Sequence, residues 1–585
     1  MIAVNKWLNK TLIVAALLGA ALSDVTTSRA ATYYVSTAGD NSNSGAQGSP
    51  WRSIQYAASR VIAGDTVRVS NGTYDERVTM QTSGRPGDFI NFIGNATGTG
   101  VVMYGFLLED KSNIRIIGFE IRHVNTEHRS GVFMAGVCSN IQILDNFIHD
   151  TSGEAIHGSR GSTTSYITIR GNTIYYIAHP GSLQTAEAAI SNMYLSSHHW
   201  LVEYNHIQRS MDFVDIYGPN NIVRNNWLHD FNPGWWSDYG HSDMFQPGSD
   251  GYDVGTKHHV YERNFCGDNI DEDSHFGIWQ DTVNAGDTNI LIRGNVGYNI
   301  GGGGIGVIGT DKVSTYNNTF HELCAAIIGG VFVWYREPTY GGMVANTIIS
   351  DDRLGTDAIY VDSGHQVKVT HNLGYLAGTD ASYVSTSNPL FIDPVRRNFR
   401  LQAGSPAINA GTNIVWVTSA SGSGTTFNIN DGQLFIDGWD MVEGDVITVG
   451  GTTTRITRII GNAVTVANSV TWTSGTPVYW GIANKDLGAF PYGSRDLTGA
   501  TLTQNGTTYT VTPTGDARGV WFYVDGIPTV WDTTVPFTAT IPNGVVTAKA
   551  YALYAQEKPV VIANSGPGGE IPPAPPTNLR VRPSI

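Results

Sequence analysis

The chain has 585 residues, a formal net charge of −15 and 68 glycines, but only three cysteines. Nucleic-acid-binding proteins draw most of their affinity from a basic surface, so this charge argues against a nucleic-acid partner. An acidic polysaccharide stays open as a partner, because bound cations can reverse the local field. Cys138, Cys266 and Cys324 fit no zinc or redox spacing. Either two of them form a disulfide or, as we favour, they are buried thiols.

The N-terminal segment has the layout of a secretory signal peptide. Lys6 and Lys10 precede the apolar run TLIVAALLGAAL, and small residues follow up to Ala30. We therefore exclude residues 1–30 from the fold. No later stretch reaches the roughly 18 consecutive apolar residues of a membrane span. We expect an exported, secreted monomer without a membrane span.

One pattern recurs through the middle of the chain: an alternating apolar strand that ends in Asn and a hydrophobic residue, as in YITIRGNTI and WLVEYNHI. A single such unit cannot bury its apolar side, but stacked units share one core, which predicts a β-solenoid. We expect the Asn side chains to form a ladder at a turn and to adopt the left-handed backbone conformation. The predicted ladder positions are Asn146, Asn172, Asn205, Asn226, Asn264, Asn295, Asn318, Asn346 and Asn372.

The segments before and after these repeats carry a family resemblance. YYVSTAGDNSNSGAQGSPWRSIQYAASRV at the start and NPLFIDPVRRNFRLQAGSPAINAG near the end resemble the secreted, pectate-lyase-like family of carbohydrate-active proteins with a right-handed parallel β-helix. The resemblance covers about residues 31–493. It implies an all-β protein whose first coil is capped by a short helix over residues 53–61.

Composition changes divide the chain into further segments. Residues 414–484 turn to short Thr, Val and Gly-rich strands and predict a small inserted β-domain. Residues 495–564 have the strand and turn spacing of an immunoglobulin-like β-sandwich. The β-helix is then predicted over 31–413 with a closing segment over 485–494, and residues 565–585 form a Pro and Gly-rich tail.

A second strand in each coil can be aligned on one inward apolar residue. The predicted inward column is Ile156, Ile190, Val214, Met244, Phe276 and Ile305. Because neighbours in a strand point to opposite faces, the residues on either side of this column should point outward. Adjacent coils lie about 4.8 Å apart. The alignment therefore predicts one outward polar patch with His157, Asp215, Asp243 and His275, to which a flanking loop adds His241.

This patch is our candidate active site, because acids and histidines that converge on one face can act as paired acid and base groups. Aromatic rings beside acids and amides suit sugar rings, although the same rings could instead pack under loops. The predicted substrate-binding residues are Trp235, Trp236, Trp279, Tyr217, Gln246 and Gln280. Ser242 should face inward, which argues against a hydroxyl nucleophile.

Two reactions suit such a groove. In hydrolysis, two carboxyl groups share the work, and Asp215 with either Asp243 or Glu154 could supply them. In β-elimination on a uronic-acid polymer, a cation neutralises the substrate carboxylate and a base removes the adjacent C–H proton. The acid-rich loop GDNIDEDSH offers Asp268, Asp271 and Asp273 as possible calcium ligands. Lys257 is the base that members of the resembled family with a calcium-assisted lysine would imply.

The resemblance implies polysaccharide lyases, hydrolases and uronan epimerases as the enzymatic options. The familiar signatures of the pectin hydrolases on this scaffold, Asn-Thr-Asp and Gly-His-Gly, are absent from the sequence. The sequence therefore favours a lyase acting on an acidic polysaccharide, with a glycoside hydrolase second. A polysaccharide-binding or adhesin solenoid without catalysis is the alternative outside enzymes.

Overall fold

The computed structural model describes residues 30–563 except for 96–99, 123–129, 178–187, 193–195, 231–241, 247–256, 270–273, 281–287, 324–332, 337–339, 351–357, 362, 364–365 and 378–379. Parallel strands stack coil on coil and form the predicted right-handed parallel β-helix. The predicted fold class is thus confirmed.

The first sheet has 13 strands, each paired in parallel with the strand of the next coil. Its strands are Thr32–Val35, Thr66–Val69, Ile90–Ile93, Ser112–Ile117, Val137–Leu144, Thr163–Arg170, His198–Glu203, Asn221–Arg224, Lys257–Glu262, Thr288–Arg293, Asp311–Tyr316, Tyr340–Ala345 and Gln366–Thr370.

The second sheet has 17 strands and follows the first around each coil. Its strands are Gly72–Thr79, Val101–Glu109, Glu120–Arg122, Val132–Ala135, Phe147–Thr151, Ile156–Gly158, Thr173–Ile177, Ala188–Asn192, His206–Gln208, Asp212–Ile216, Trp227–His229, Phe265–Asn269, Val296–Ile300, Thr319–Leu323, Ile348–Ser350, Asn372–Tyr375 and Tyr383–Ser385.

The third sheet follows the short strands that end with Asp212–Ile216. A parallel bridge between Val214 and Phe245 connects the two. Its strands are Ser242–Asp243, Ser274–Gln280, Gly303–Ile308, Val333–Arg336 and Ile359–Val361.

A buried amide ladder runs along the corner between the first and second sheets. The side-chain oxygen of Asn226 accepts hydrogen bonds from the backbone N–H and the side-chain amide of Asn205, both at 3.0 Å. Asn264 repeats this arrangement toward Asn226 at 3.1 and 3.0 Å. Every buried amide in the ladder therefore has partners in the coils above and below, as a dry core requires.

Two details of the predicted ladder are corrected. The left-handed residue is the one before the ladder Asn, as at Asn225 (φ 53°) and Asn317 (φ 54°). At the C-terminal end, Thr347 occupies the ladder position and donates its N–H to Asn372. Asn346 corresponds to Asn317, lies one residue earlier at the left-handed position, and binds the backbone of Thr412. Repeated Asn residues in this corner obscured the register.

The first coil is capped by the helix Ile54–Ala58, which is shorter than the predicted 53–61. Ser53 caps its N-terminus by accepting from the N–H of Tyr56. The Glu76 carboxylate accepts from the N–H groups of Ile54 and Gln55 at 2.8 and 2.9 Å. Such a charge at a helix N-terminus offsets the helix dipole.

The C-terminal part of the chain is antiparallel. The strands Phe391–Asp393 and Asn398–Leu401 form a hairpin with the 3₁₀ turn Pro394–Arg396 between them. An inserted sheet follows, with the 3₁₀ turn Gly432–Leu434 after its first strand, and two further sheets come after it. The inserted sheet contains Gly422–Asn428, Val446–Val449, Thr452–Ile460, Ala463–Trp472 and Val478–Trp480. The later sheets contain Gly499–Asn505, Thr508–Thr514 and Phe537–Thr540, and Ala517–Val524, Ile527–Asp532, Val546–Ala552 and Val560–Ala563.

These additions cover outer faces of the β-helix. Leu201, Ile222 and Val260 of the first sheet form one apolar cluster with residues of the inserted sheet. Phe265 of the second sheet packs in a cluster with Phe399 of the hairpin. Binding sites on those two faces would have to compete with packed apolar side chains. We therefore expect a site on the third sheet.

The described residues also bear on two expectations of the sequence. Cys138 and Cys266 are both buried free thiols, and Cys324 lies outside the described residues. Within the described part of the chain, no helix is long and apolar enough to span a bilayer.

Candidate functional site

The predicted alignment of second strands holds for its first coils and then shifts. Ile156 pairs with Ile190, and Ile190 pairs with Val214, as predicted. Val214 is then opposite Phe245, one residue beyond the predicted Met244. The chain bends at Met244, and both Met244 and Phe245 are fully buried in the core. Strict alternation of faces fails at this bend.

The structure also corrects the predicted outward positions on one side of the column. Ala155, Ala189 and Phe213 were expected to point outward, but all three are fully buried in the main core cluster. The polar residues therefore form two separate columns on the coils. The first runs through His157, Ser191 and Asp215. The second pairs Asp243 with His275.

Asp243 and His275 form the best-defined acid and base pair of the site. The Nδ1 atom of His275 lies 3.1 Å from Oδ1 of Asp243. The Asp243 side chain is fully buried, whereas that of His275 is 13% exposed. A buried carboxylate in this position fixes the orientation of the imidazole ring. The exposed part of the His275 side chain is where a bound molecule can contact the ring.

The backbone around this pair is held by a second carboxylate. The N–H of Asp243 donates to Oδ1 of Asp212 at 2.7 Å, which joins the two coils. The Ser242 hydroxyl donates to the carbonyl of Met211 at 2.6 Å and accepts from the Asn269 amide at 3.2 Å. Ser242 is 1% exposed, so its hydroxyl faces the interior, as predicted, and is not available as a nucleophile.

The other column is centred on His157. Its Nδ1 atom lies 3.6 Å from the Glu154 carboxylate, and its ring stacks on Phe133 with centroids 5.4 Å apart. Glu154 also accepts from the Ser130 hydroxyl at 3.0 Å. Burial lowers the pKa of His157, Glu154 raises it and Arg160 lowers it, with a net fall below the usual value. His157 is therefore a neutral imidazole near pH 7.

The structure places the other predicted residues less favourably. Asp215 is only 2% exposed and pairs in register with Ser191. Tyr217 is 6% exposed, and its carbonyl accepts from the Asn221 amide at 2.9 Å, which indicates packing instead of substrate contact. Gln246 is partly exposed beside the Val214 strand.

The predicted calcium ligand Asp268 is engaged elsewhere. It forms an ion pair with Arg397 and accepts from the Asn299 amide at 2.9 Å. Among the residues that the structure describes, no group of three or more His, Cys, Asp or Glu side chains is arranged to hold a metal ion. Asp271 and Asp273 lie outside the described residues, so the calcium site of this loop stays a prediction.

Several predicted residues cannot be placed by their side chains. The backbone of Lys257 begins a strand of the first sheet and pairs with Thr288, whereas His275 lies on the third sheet. Outside the described residues lie His241, Trp235, Trp236, Asp271 and Asp273, together with the side chains of Lys257, Trp279 and Gln280.

Comparison with sequence families gives two partial matches. Residues 37–106 match a family described as a protein of unknown function, DUF1565. The uncharacterized protein YwoF of Bacillus subtilis strain 168 is 30% identical over 142 residues, which is 22% of this chain and 30% of that relative. The chain therefore matches less than a third of the length of this relative.

Solved structures resemble the chain at low identity. A rhamnogalacturonan lyase is 17% identical with a TM-score of 0.41, over 62% of this chain and 90% of that chain. The pectate lyase Pel9A is 17% identical with a TM-score of 0.37, over 67% and 94%. The GH136 lacto-N-biosidase from Eubacterium ramulus is 13% identical with a TM-score of 0.38, over 62% and 71%. The β-helix itself is established by the strand pairing of this chain.

Proposed function

We propose that this protein is a secreted carbohydrate-active enzyme, a lyase that cleaves a uronic-acid-containing polysaccharide by β-elimination. The single observation that carries the proposal is the Asp243–His275 pair, with a fully buried carboxylate behind a partly exposed imidazole. Elimination needs one base at the acidic C–H beside a carboxylate, and a carboxylate-supported histidine meets that need.

The reaction follows from the position of the ring. In the proposed step, His275 takes the proton from the carbon adjacent to the substrate carboxylate, while Asp243 stabilises the imidazolium that forms. The electron pair of the C–H bond forms a carbon–carbon double bond, and the glycosidic C–O bond breaks. The leaving oxygen takes up a proton from water. The new double bond is conjugated to the carboxylate and absorbs ultraviolet light.

Positive charge near the His157 column would help to bind an acidic polymer. Arg160 is exposed and lies close enough to His157 to act on its pKa. A guanidinium group pairs well with a carboxylate because it donates two parallel hydrogen bonds. We assign Arg160 to the carboxylate of a sugar further along the polymer, on the coil of His157, and Trp235 and Trp236 to stacking on sugar rings. No step is assigned to calcium, because Asp268 is held by Arg397.

Hydrolysis is favoured less by this geometry. It needs two carboxyl groups that face the scissile bond from opposite sides. Asp243 is fully buried and bound to His275, and Asp215 is 2% exposed. Neither carboxylate is presented to a polymer in the way that a hydrolytic pair requires.

A panel of polysaccharides tests the proposal. Pectate, alginate and glycosaminoglycans would each be incubated with the full chain, with and without a chelator, while ultraviolet absorbance and reducing ends are recorded. We expect absorbance and reducing ends to rise together on at least one acidic polymer. New reducing ends without absorbance would indicate hydrolysis instead. Binding without either signal would indicate a non-catalytic solenoid.

A further inference from the structure

A cavity lies where the β-helix, the inserted sheet and the C-terminal sandwich meet. Its volume is about 270 Å³, close to the lower end of the roughly 300–1,000 Å³ of small-molecule sites. Each of the three parts contributes one arginine to its wall. Arg263 comes from the β-helix, Arg455 from the strand Thr452–Ile460 and Arg518 from the strand Ala517–Val524.

The carboxylates in the same wall have other partners. Asp445 accepts two hydrogen bonds from Arg293, at 3.0 and 2.8 Å. Asp486 accepts from the backbone N–H groups of Asn409 and Tyr492, at 2.8 and 2.7 Å. These two are the acidic residues among the described residues that line the cavity.

Behind the wall, one carboxylate is shared by several guanidinium groups. Glu262 lies 2.7 Å from Arg293, 3.5 Å from both Arg263 and Arg518, and 3.9 Å from Arg224. Arg293 is also paired with Asp445, and Arg224 with Glu203, so Glu262 is left to offset Arg263 and Arg518. One carboxylate against these two cations leaves positive charge on the side of the cavity.

The arginine side chains in the wall are largely shielded from solvent. The side chains of Arg263 and Arg518 are 12% and 13% exposed. Arg455 donates to the Gly444 carbonyl at 2.9 Å and to the Thr533 hydroxyl at 3.3 Å. Burial lowers the pKa of Arg263 and of Arg455, and the nearby Arg518 lowers both further, against the opposing effects of Glu262 on Arg263 and of Glu443 on Arg455.

We propose that this cavity binds an oxyanion, that is, a carboxylate, sulfate or phosphate group, through the guanidinium groups of Arg263, Arg455 and Arg518. Charge-assisted hydrogen bonds from several guanidinium groups are the strongest way in which a protein holds such a group. Bound there, the anion links all three parts of the molecule. This site is independent of the Asp243–His275 pair and stands whether or not the protein is a lyase.

Isothermal titration calorimetry on the full mature chain tests the proposal. Sulfate, phosphate and galacturonate are titrated at constant ionic strength, with galactose as the neutral sugar. The variants are Arg518→Gln and Arg455→Gln, each checked for folding by its thermal unfolding profile. The matched control is Arg458→Gln, because Arg458 is exposed on the same strand as Arg455.

We expect at least one oxyanion to bind and galactose not to bind. Each cavity variant should weaken that binding by about tenfold or more, which is the loss of one charge-assisted contact, while Arg458→Gln changes it less than about twofold. Binding of galacturonate would identify an acidic sugar as the source of the group, and binding of sulfate or phosphate alone an inorganic anion. Absence of binding, or equal binding by both folded cavity variants and the parent, would overturn the proposal.

Discussion

Asp243 and His275 pair a buried carboxylate with a partly accessible imidazole. The carboxylate has no exposed surface, and the imidazole that it contacts at 3.1 Å keeps 13% of its side-chain surface exposed. An imidazole held in this way stays in one orientation, so it need not be ordered when a substrate arrives. The backbone bond from Asp243 to Asp212 fixes the pair to the neighbouring coil.

The substitution Asp243→Asn tests that division of work. The amide cannot stabilise an imidazolium and can turn its N–H₂ group toward the ring, so we expect kcat on the acidic polymer to fall by about 100-fold or more. The matched control is Asp230→Asn, because Asp230 lies 3.0 Å from His229 in the second sheet, away from the third. Equal losses in both variants would show that the Asp243 effect is structural.

The sequence predicted which coils carry these residues but not their register at every coil. Alternation correctly placed His157, Ser191 and Asp215 in one column, since their strands are regular. It failed on the other side of the same strands, where Ala155, Ala189 and Phe213 are buried, and at Met244, where two consecutive residues turn inward at a bend. A one-residue bend leaves no signal in an apolar pair such as Met-Phe, because both residues suit a core.

At the level of elements, the amide ladder sets the registry of successive coils. Each ladder Asn uses its oxygen and its amide on different coils, as Asn226 does with Asn205, Asn264 and the Val202 carbonyl. A shift by one residue would leave buried polar groups without partners, which costs about 1–3 kcal/mol for each group. The ladder therefore makes the correct stacking of coils much more stable than stackings shifted by one residue.

We expect Asn226→Ala to lower the free energy of unfolding of the β-helix by about 3 kcal/mol or more, because it leaves several buried groups without hydrogen bonds. Urea unfolding followed by circular dichroism measures the change. Asn543→Ala, at an exposed loop position of the C-terminal sandwich, is the control and should have little effect. A loss below about 1 kcal/mol in Asn226→Ala would contradict the role of the ladder.

The ladder was readable from the sequence because the same residue type recurs in every coil. The position near the C-terminal end of the ladder could not be predicted, because Thr347 occupies it and is preceded by Asn346. Thr347 still makes the ladder hydrogen bond to the following coil, because its N–H donates to Asn372 at 3.0 Å. Spacing alone cannot distinguish a ladder Asn from an Asn at the preceding left-handed residue.

At the level of the whole molecule, buried ion pairs join the inserted sheet to the β-helix. Arg293 is completely buried and binds Glu262 of the preceding coil and Asp445 of the inserted sheet. These partners are far apart in the sequence, so no local motif indicated them. The sequence predicted the separate segments but not the charged junction between them.

Removing one member of this buried network should be costly. Arg293→Ala leaves Glu262 and Asp445 with fewer cations in a buried setting, and we expect a loss of about 3–5 kcal/mol in stability. Hydrogen exchange across the inserted sheet and urea unfolding measure it. Arg458→Ala, on the exposed side of the same sheet, should leave both unchanged. Similar exchange in the two variants would show that Arg293 does not hold the sheet in place.

The same network predicts a dependence on acid. Burial raises the pKa of Glu203, but Arg224 and Arg170 outweigh it and lower that pKa to about 2. An unfolded Glu titrates near about 4.3, so the stability from Glu203 is complete above that pH and is lost as the pH falls toward 2. Glu203→Gln should flatten the fall of the melting temperature in this range, unlike the exposed control Glu109→Gln. An equally steep fall in Glu203→Gln would contradict this assignment.

The central claim is that His275 removes the proton in a β-elimination. The most direct measurement is the rate at which ultraviolet-absorbing unsaturated uronate forms from pectate, alginate and glycosaminoglycans, for the parent chain and for His275→Ala. We predict a rise with the parent on at least one polymer and a loss of about 100-fold or more in the variant, with unchanged thermal unfolding. No rise on any acidic polymer, or equal rates for the two proteins, would contradict it.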